Sequence, residues 1–257
     1  MKAEPFTEKF KFPGAGKTVE FTADSYRNWT KENVPEEVSR MKEGDTLTIG
    51  KYTLTMKPFP TMTAGRKLII PMLGIYGSDE ENPVRSQLKL HRGTSVAWCQ
   101  FTERVGIPVL SYGPASLGEI WMSLTPNEVL TQRGQVRRAK GNVGIAGLGM
   151  GWSALRCLEK RSVDHVTVVE KEKHLIDFYG DSWLRKKFGD RLNIICGDAY
   201  EFDWSAFDVA LWDIWPSLNE APYDRKYVRI RERMRARGKT CVAWGGDSEL
   251  NSSGPIL

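Results

Sequence analysis

Val143-Gly144-Ile145-Ala146-Gly147-Leu148-Gly149-Met150-Gly151-Trp152 is the stretch on which the fold assignment rests. Residues 143–146 read as a short apolar strand and a helix is expected over 152–160, so the glycines fill the turn between them. Glycine adopts positive φ without a Cβ clash and lets a ligand approach the main chain closely. In a strand–turn–helix setting such a string marks a nucleotide-cofactor domain, which the glycines alone would not do. The next apolar strand, over 166–170, ends on Glu170 about twenty residues later, where a carboxylate can accept hydrogen bonds from ribose hydroxyls. The alternative for Glu170 is a charged strand end leading into the exposed run Lys171-Glu172-Lys173.

The alternation continues downstream, with a helix over 173–187, strands over 192–196 and 207–213, a helix over 224–237 and a last strand over 240–244. Each helix must bury its apolar stripe, which calls for a largely parallel sheet covered by helices and joined by right-handed crossovers. Upstream, Thr125-Pro126-Asn127-Glu128 has threonine at an N-cap, proline at N1 and glutamate three residues after the cap, the pattern of a capping box. That helix should run to about residue 140 and stop at Gly141.

Earlier residues read mostly as strands. Leu47, Ile49, Tyr52, Leu54 and Met56 are separated by polar residues, as in a hairpin turning at Gly50-Lys51. Further strands are expected over 68–72, 96–101, 109–112 and 119–123, with breaks at 74–83, 106–108 and 113–118. A short helix is expected from Pro35 to about Met41, with a turn over 42–45. The expected fold class is α/β, a Rossmann-like domain over residues 125–257 preceded by a strand-rich region over residues 1–124.

The segment Leu192-Asn193-Ile194-Ile195-Cys196-Gly197-Asp198-Ala199, followed by Phe207-Asp208-Val209-Ala210-Leu211-Trp212-Asp213, adds two more motifs in order. Together with the glycine turn and Glu170, it resembles the class I S-adenosylmethionine-dependent methyltransferases, and their spermidine-synthase-like branch in motif pattern. The resemblance covers residues 143–216, with weaker support to 244. It implies S-adenosylmethionine as cofactor, with Gly147, Gly149 and Gly151 shaping the pocket for its methionine portion. It further implies that Glu170 binds ribose, Asp198 meets the adenine amino group, Ala199 lies beside the ring, and Asp213 handles the attacking group of the acceptor as the catalytic residue. The residues themselves leave other readings open: Asp198 as a turn carboxylate, Asp213 as a cap or salt-bridge partner, and Trp212, Trp215 and Pro216 as packing rather than site wall.

Two departures stand out. Spermidine synthases carry a second acidic residue soon after the first, whereas Asp213 is followed by Ile214-Trp215-Pro216, and Glu220 and Asp224 do not restore the pattern. The usual last antiparallel strand pair has no room before Leu257. Either the sheet is shortened or front-half strands cover its edge, since an open apolar edge would invite association, including with another copy of the chain. The expected activity is methyl transfer to an unidentified small-molecule or macromolecular acceptor. Aminopropyl transfer from decarboxylated S-adenosylmethionine, a non-catalytic cofactor-binding or assembly role, and an oxidoreductase on NAD or FAD are the alternatives. Gln100, Tyr112, Glu119, Trp121 and Gln132 are candidate acceptor-site groups.

Composition is that of an ordinary folded protein: 257 residues, 40% apolar and 27% charged, with a net charge of +5. The densest basic run, 225–237, falls on an expected helix with Tyr227, Ile230 and Met234 at apolar spacing, so a solvated face accounts for it and nucleic acid is only weakly supported. Cys99, Cys157, Cys196 and Cys241 fall singly in apolar surroundings, without metal-ligand spacing, and read as reduced and buried. No metal is expected, because His91, His165 and His174 form no sequence cluster; His165 reads as part of a turn and His174 as part of a helix face. No apolar run has membrane-spanning length, and the first residues lack a signal peptide's apolar core, so no membrane partner and a cytoplasmic location are expected. Gly14-Ala15-Gly16-Lys17-Thr18 mimics the end of a phosphate-binding loop. Lys11 stands where that motif needs glycine, and Val19-Glu20-Phe21 looks extended rather than helical.

Overall fold

Val143, Ile145, Val209 and Leu211 face one buried cluster while Ala146, Ala210 and Trp212 face another, the period-two alternation of strands covered on both faces. The computed structural model describes residues 18–21, 23–59, 69–71, 98–101, 105–114, 118–216 and 220–244. The chain runs through β1 (Thr18–Phe21), α1 (Ala23–Asn33), α2 (Glu36–Ser39), β2 (Thr46–Ile49), β3 (Tyr52–Phe59), β4 (Ile69–Pro71), β5 (Trp98–Phe101), β6 (Val105–Tyr112) and β7 (Glu119–Ser123). It continues through α3 (Pro126–Arg138), β8 (Gly141–Ala146), α4 (Trp152–Leu158), β9 (Val163–Glu170), α5 (residues 173–188), β10 (Leu192–Cys196), β11 (Val209–Trp212), α6 (Arg225–Ala236) and β12 (Thr240–Ala243).

The last five strands form one parallel sheet in the order β10-β9-β8-β11-β12. The chain thus moves outward from β8 to β10 on one side and from β11 to β12 on the other. The turns after β8 and β11 diverge, and a crevice at that reversal is where open α/β sheets bind ligands. This is the Rossmann-like arrangement expected from the sequence. One face carries α4 and the middle of α5. The other carries Trp204, Phe207 and the apolar side of α6, whose Tyr227, Ile230 and Met234 are buried beneath its arginines.

Of the two alternatives for the sheet edges, cover by front-half strands is not seen among the described residues: β2-β3-β6-β7 form a separate antiparallel sheet, and β1-β5-β4 a third. The expected hairpin is present, with Ile49 paired to Tyr52 across Gly50-Lys51. The antiparallel sheet packs into the same core as the parallel one, and its β7 meets the glycine turn directly. There the Met150 N–H donates to Met122 Sδ at 3.1 Å, and a Cβ on Gly149 would sit 2.5 Å from that sulfur.

Other expectations need adjustment. α1 was not anticipated, because ADSYRNWTKEN is polar apart from Tyr26 and Trp29. Those two rings are buried three residues apart, and Thr30 and Asn33 return their polar atoms to the carbonyls of Tyr26 and Trp29. Residues 106–108 continue β6 instead of breaking it: Gly106 pairs with Pro58, Pro108 pairs with Met56, and the Pro108 carbonyl accepts from Leu124 N. The helix over 173–187 is wound as a π-helix at Ile176–Leu184. His165 lies within β9 and His174 on α5. Cys157 and Cys241 are buried but Cys196, at the end of edge strand β10, is exposed. The capping box is altered too: Thr125 Oγ1 accepts from Glu128 N at 3.3 Å, but the Glu128 carboxylate reaches past Thr125 to Ser123. Residues 14–17, His91 and the break over 74–83 lie outside the described residues.

Gly147 has φ +89°, and a Cβ there would lie 2.3 Å from the Asp213 carbonyl oxygen, whereas Gly238, at φ +70°, has open space around it. Gly147→Ala should therefore cost more than Gly238→Ala, which carries only the backbone strain of about 1 kcal/mol. Urea unfolding of the two variants checks this, with a larger loss of midpoint at position 147 expected.

Candidate functional site

The turns that follow β8, β9, β10 and β11 open onto one cavity of about 460 Å³. Gly147, Leu148 and Gly149 enter it from the first turn, Glu170 and Lys171 from the second, Gly197, Asp198 and Ala199 from the third, and Asp213, Ile214 and Trp215 from the fourth. Parallel strands in register make this convergence unavoidable, because their C-terminal ends lie side by side. Glu170 is only 7% exposed. Its Oε2 accepts from Leu148 N at 2.7 Å and its Oε1 from Glu172 N at 2.8 Å, so the carboxylate bridges the first two turns. Burial pushes its pKa up, and the main-chain donors pull against that shift. Asp198 is exposed and forms a turn, its Oδ1 accepting from Tyr200 N at 2.9 Å. Ala199 is buried. Gly151 does not line the cavity; it is the N-cap of α4, at φ +80°, packed against Trp183 and Leu184.

On the other side of the crevice, α3 presents Glu128, Gln132 and Gln135 along one face, spaced at three and four residues. Gln132 Nε2 donates to Asp213 Oδ2 at 2.9 Å, Gln132 Oε1 accepts from Ser153 Oγ at 3.1 Å, and Gln135 Nε2 donates to the Trp212 carbonyl at 3.3 Å. Glu128 Oε2 accepts from both Ser123 N and Ser123 Oγ. Burial raises Asp213 to about 7; burial and the neighbouring Asp213 charge raise Glu128 to about 8, against the Ser123 hydrogen bonds.

The antiparallel sheet closes the cavity with Tyr52, Tyr112, Glu119, Trp121 and Met122. Tyr52 makes edge contacts with Tyr112 and Trp121 at centroid separations of 5.6 and 6.2 Å. The hairpin residue Lys51 bridges to Glu172 and places its ammonium 5.2 Å from the Tyr112 ring. Asp224 caps α6 through Lys226 N and Tyr227 N while its Oδ2 accepts from two lining side chains, Tyr200 Oη and Trp215 Nε1. Counted together, the lining carries six carboxylates, Glu128 and Asp213 with Glu119, Glu170, Glu172 and Asp198, against Lys51 and Lys171. Among the described residues, no group of three or more His, Cys, Asp or Glu side chains is arranged to hold a metal ion, and no helix is long and apolar enough to cross a membrane.

No protein-family model matches the sequence, and no curated protein matches it. Among solved structures, the chain is similar to a dimethyladenosine transferase from Plasmodium falciparum, at 15% identity over 46% of this chain and 41% of that one, with a TM-score of 0.35. It is also similar to mitomycin 7-O-methyltransferase, at 22% identity over 43% of this chain and 33% of that one, with a TM-score of 0.33. A third is coclaurine N-methyltransferase, at 19% identity over 34% of this chain and 27% of that one, with a TM-score of 0.29. The likeness is one of fold. The chain spans less than half the length of each of these structures.

Of the residues singled out in the sequence, Gly147, Gly149, Glu170, Asp198, Ala199 and Asp213 meet at the cavity. Tyr112, Glu119 and Trp121 join them, and Gln132 reaches the site by holding Asp213; the side chain of Gln100 lies outside what is described. Lys51, Tyr52, Met122, Ser153 and Tyr200 line the cavity without having been marked. From the sequence alone Glu128 reads as a helix cap. Its position four residues before Gln132 was the available signal that both side chains share a face.

Asp213 also sets a pH dependence. Its folded pKa is raised to about 7, against about 3.9 in the unfolded chain, so the unfolded state loses its proton first and stability falls as pH rises between those values. Asp213→Asn should melt like the wild type near pH 4 and about 3 °C or more above it at pH 8.5. Thermal unfolding followed at both pH values reads the difference, and an equal offset at the two would show that burial of the charge is not its cause.

Proposed function

We propose that the protein is an S-adenosylmethionine-dependent methyltransferase, with residues 125–257 as the cofactor domain and residues 1–124 covering the acceptor site. The observation that carries this reading is that Gly147, Glu170, Asp198 and Asp213 stand at or just beyond the C-terminal ends of four adjacent parallel strands and line one cavity there.

The residues suit the cofactor part by part. Two main-chain donors fix the Glu170 carboxylate, and each oxygen keeps a lone pair for a ribose hydroxyl. Asp198 is exposed and can accept from the adenine amino group, with Ala199 beside the ring. Gly147 and Gly149 leave the main chain open to the methionine portion, and Gly151 supports that turn as the cap of α4. Lys51 and Lys171 are the lining cations available to the cofactor carboxylate, and the carboxylate-rich remainder suits a cationic sulfur. When bound, the cofactor supplies an electrophilic methyl carbon. Asp213, held by Gln132, orients the acceptor and takes its proton, and the closed antiparallel wall contributes by positioning. The acceptor is a small molecule or a group on a macromolecule.

The excess of carboxylates over lysines favours a second reading, aminopropyl transfer from decarboxylated S-adenosylmethionine to an amine, because that donor has no carboxylate to recognise. Calorimetric titration separates the two. On the lead reading S-adenosylmethionine binds the wild type, and Asp198→Asn weakens it about tenfold, or ~1.4 kcal/mol. Asparagine can keep the Tyr200 N–H bond while turning an amide donor toward the adenine amine, so the fold should survive. Unchanged affinity in the variant, or binding of NAD instead, would sink the cofactor assignment; tighter binding of the decarboxylated donor would select the second reading.

A further inference from the structure

The solvent side of α6 carries a charge pattern that works against the helix itself. Seven residues over 225–237 are arginine or lysine, and one, Glu232, is acidic. Arg225, Arg229, Arg233 and Arg237 recur every four residues and are all exposed. That spacing puts them on one ridge of the helix, extending over about 18 Å. Like charges four residues apart repel, and Arg225 and Lys226 stand in the first turn, where the helix dipole disfavours cations. A face that served only solubility would gain by alternating its signs. Among the described residues, none of these four arginine side chains takes part in an ion pair or a hydrogen bond. Asp203, held by the main-chain N–H and hydroxyl of Ser205, lies within the field of Arg237 and Arg233 without bridging to either.

A second observation stands at the start of the ridge. Tyr223, two residues before Arg225, is 85% exposed, the most exposed large apolar side chain among the described residues. Its neighbour Asp224 accepts from Tyr200 and Trp215, both of which line the cavity. The aromatic ring and the ridge therefore begin beside the site, and α6 carries the arginines away from it. A guanidinium fork holds a phosphate through two hydrogen bonds, and an exposed aromatic ring next to such a row offers a face on which a base stacks. A lipid surface fits less well. It needs apolar side chains to insert, and the apolar stripe of α6, Tyr227, Ile230 and Met234, is buried against the sheet.

We propose that Tyr223 and the arginine ridge of α6 form a binding surface for single-stranded nucleic acid, with phosphates along Arg225, Arg229, Arg233 and Arg237 and a base stacked on Tyr223. The strand must be single, because in a duplex the base faces are already stacked on one another. The surface lies outside the cavity, so this inference and the transferase reading can fail separately.

The test is fluorescence anisotropy of the full chain with labelled oligouridylate and oligothymidylate. Both should bind at low salt, and the slope of log K on log salt should be about −3, roughly 0.7 for each of four phosphates. Joint substitution Arg229→Gln and Arg233→Gln should weaken binding at least tenfold and remove about 1.4 of that slope. The same variant should melt no lower than the wild type, since it relieves repulsion, and should hold S-adenosylmethionine within twofold. Joint substitution Arg229→Lys and Arg233→Lys should keep the slope. Tyr223→Ala should cost about tenfold in affinity with the slope unchanged, and Tyr223→Trp should keep the affinity. The tighter of the two oligomers then identifies RNA or DNA as the source of the strand. Failure of both oligomers to bind, or binding unchanged in the arginine and tyrosine variants, overturns the proposal. Tighter binding of a duplex of equal length, of inorganic polyphosphate or of phosphatidylserine vesicles overturns it as well, because the face would then answer to charge or lipid and not to a single strand.

Discussion

The place of the Asp213 carbonyl oxygen, where a side chain on Gly147 would have to go, is the constraint from which the site follows. With φ at +89° and no room for a Cβ, the chain leaving β8 turns aside where β11 ends, and the crevice opens between the two. Asp213 is brought to the rim by the same constraint, and the turn that carries Gly147 supplies, at Leu148, the amide that holds Glu170. A side chain at this position would separate the two strands at the point where the sheet order reverses, and the cavity would lose its shape before any ligand contact was touched.

The antiparallel sheet completes what the parallel sheet begins. Met122 places its sulfur against the Met150 amide and fills the space that a side chain on Gly149 would need, so the second glycine of the turn answers to protein packing as much as to a ligand. Tyr52, Tyr112 and Trp121 then form the wall opposite the acidic strand ends. Asp213 accepts from the Gln132 amide and Glu128 from the Ser123 main chain and hydroxyl, so both carboxyl groups are tied to the seam between the two sheets.

Most of the parallel sheet could be read from the chain because local signals agreed with the global fold: apolar runs of strand length, Gly147 to Gly151 at the first turn, and acids at two later strand ends. The residues that escaped notice owe their places to distant contacts. Nothing near Lys51 says that its hairpin will reach Glu172, and nothing near Met122 says that its sulfur will meet a glycine turn. α1 was missed because two buried aromatics, rather than a continuous apolar stripe, hold it in place. Whether front-half strands would extend the parallel sheet was equally beyond local patterning: those that are described pair within their own two sheets.

Asp224 does not line the cavity, yet it joins three things at once: the N-terminus of α6, the Tyr200 hydroxyl and the Trp215 indole. Tyr200 follows β10 and Trp215 follows β11, so a single carboxylate links loops from opposite sides of the central strand. The first turn of α6 and that side of the cavity therefore share one equilibrium. A ligand that orders Tyr200 or Trp215 also steadies the helix start, and by reciprocity fraying of that helix weakens the ligand's hold by the same free energy.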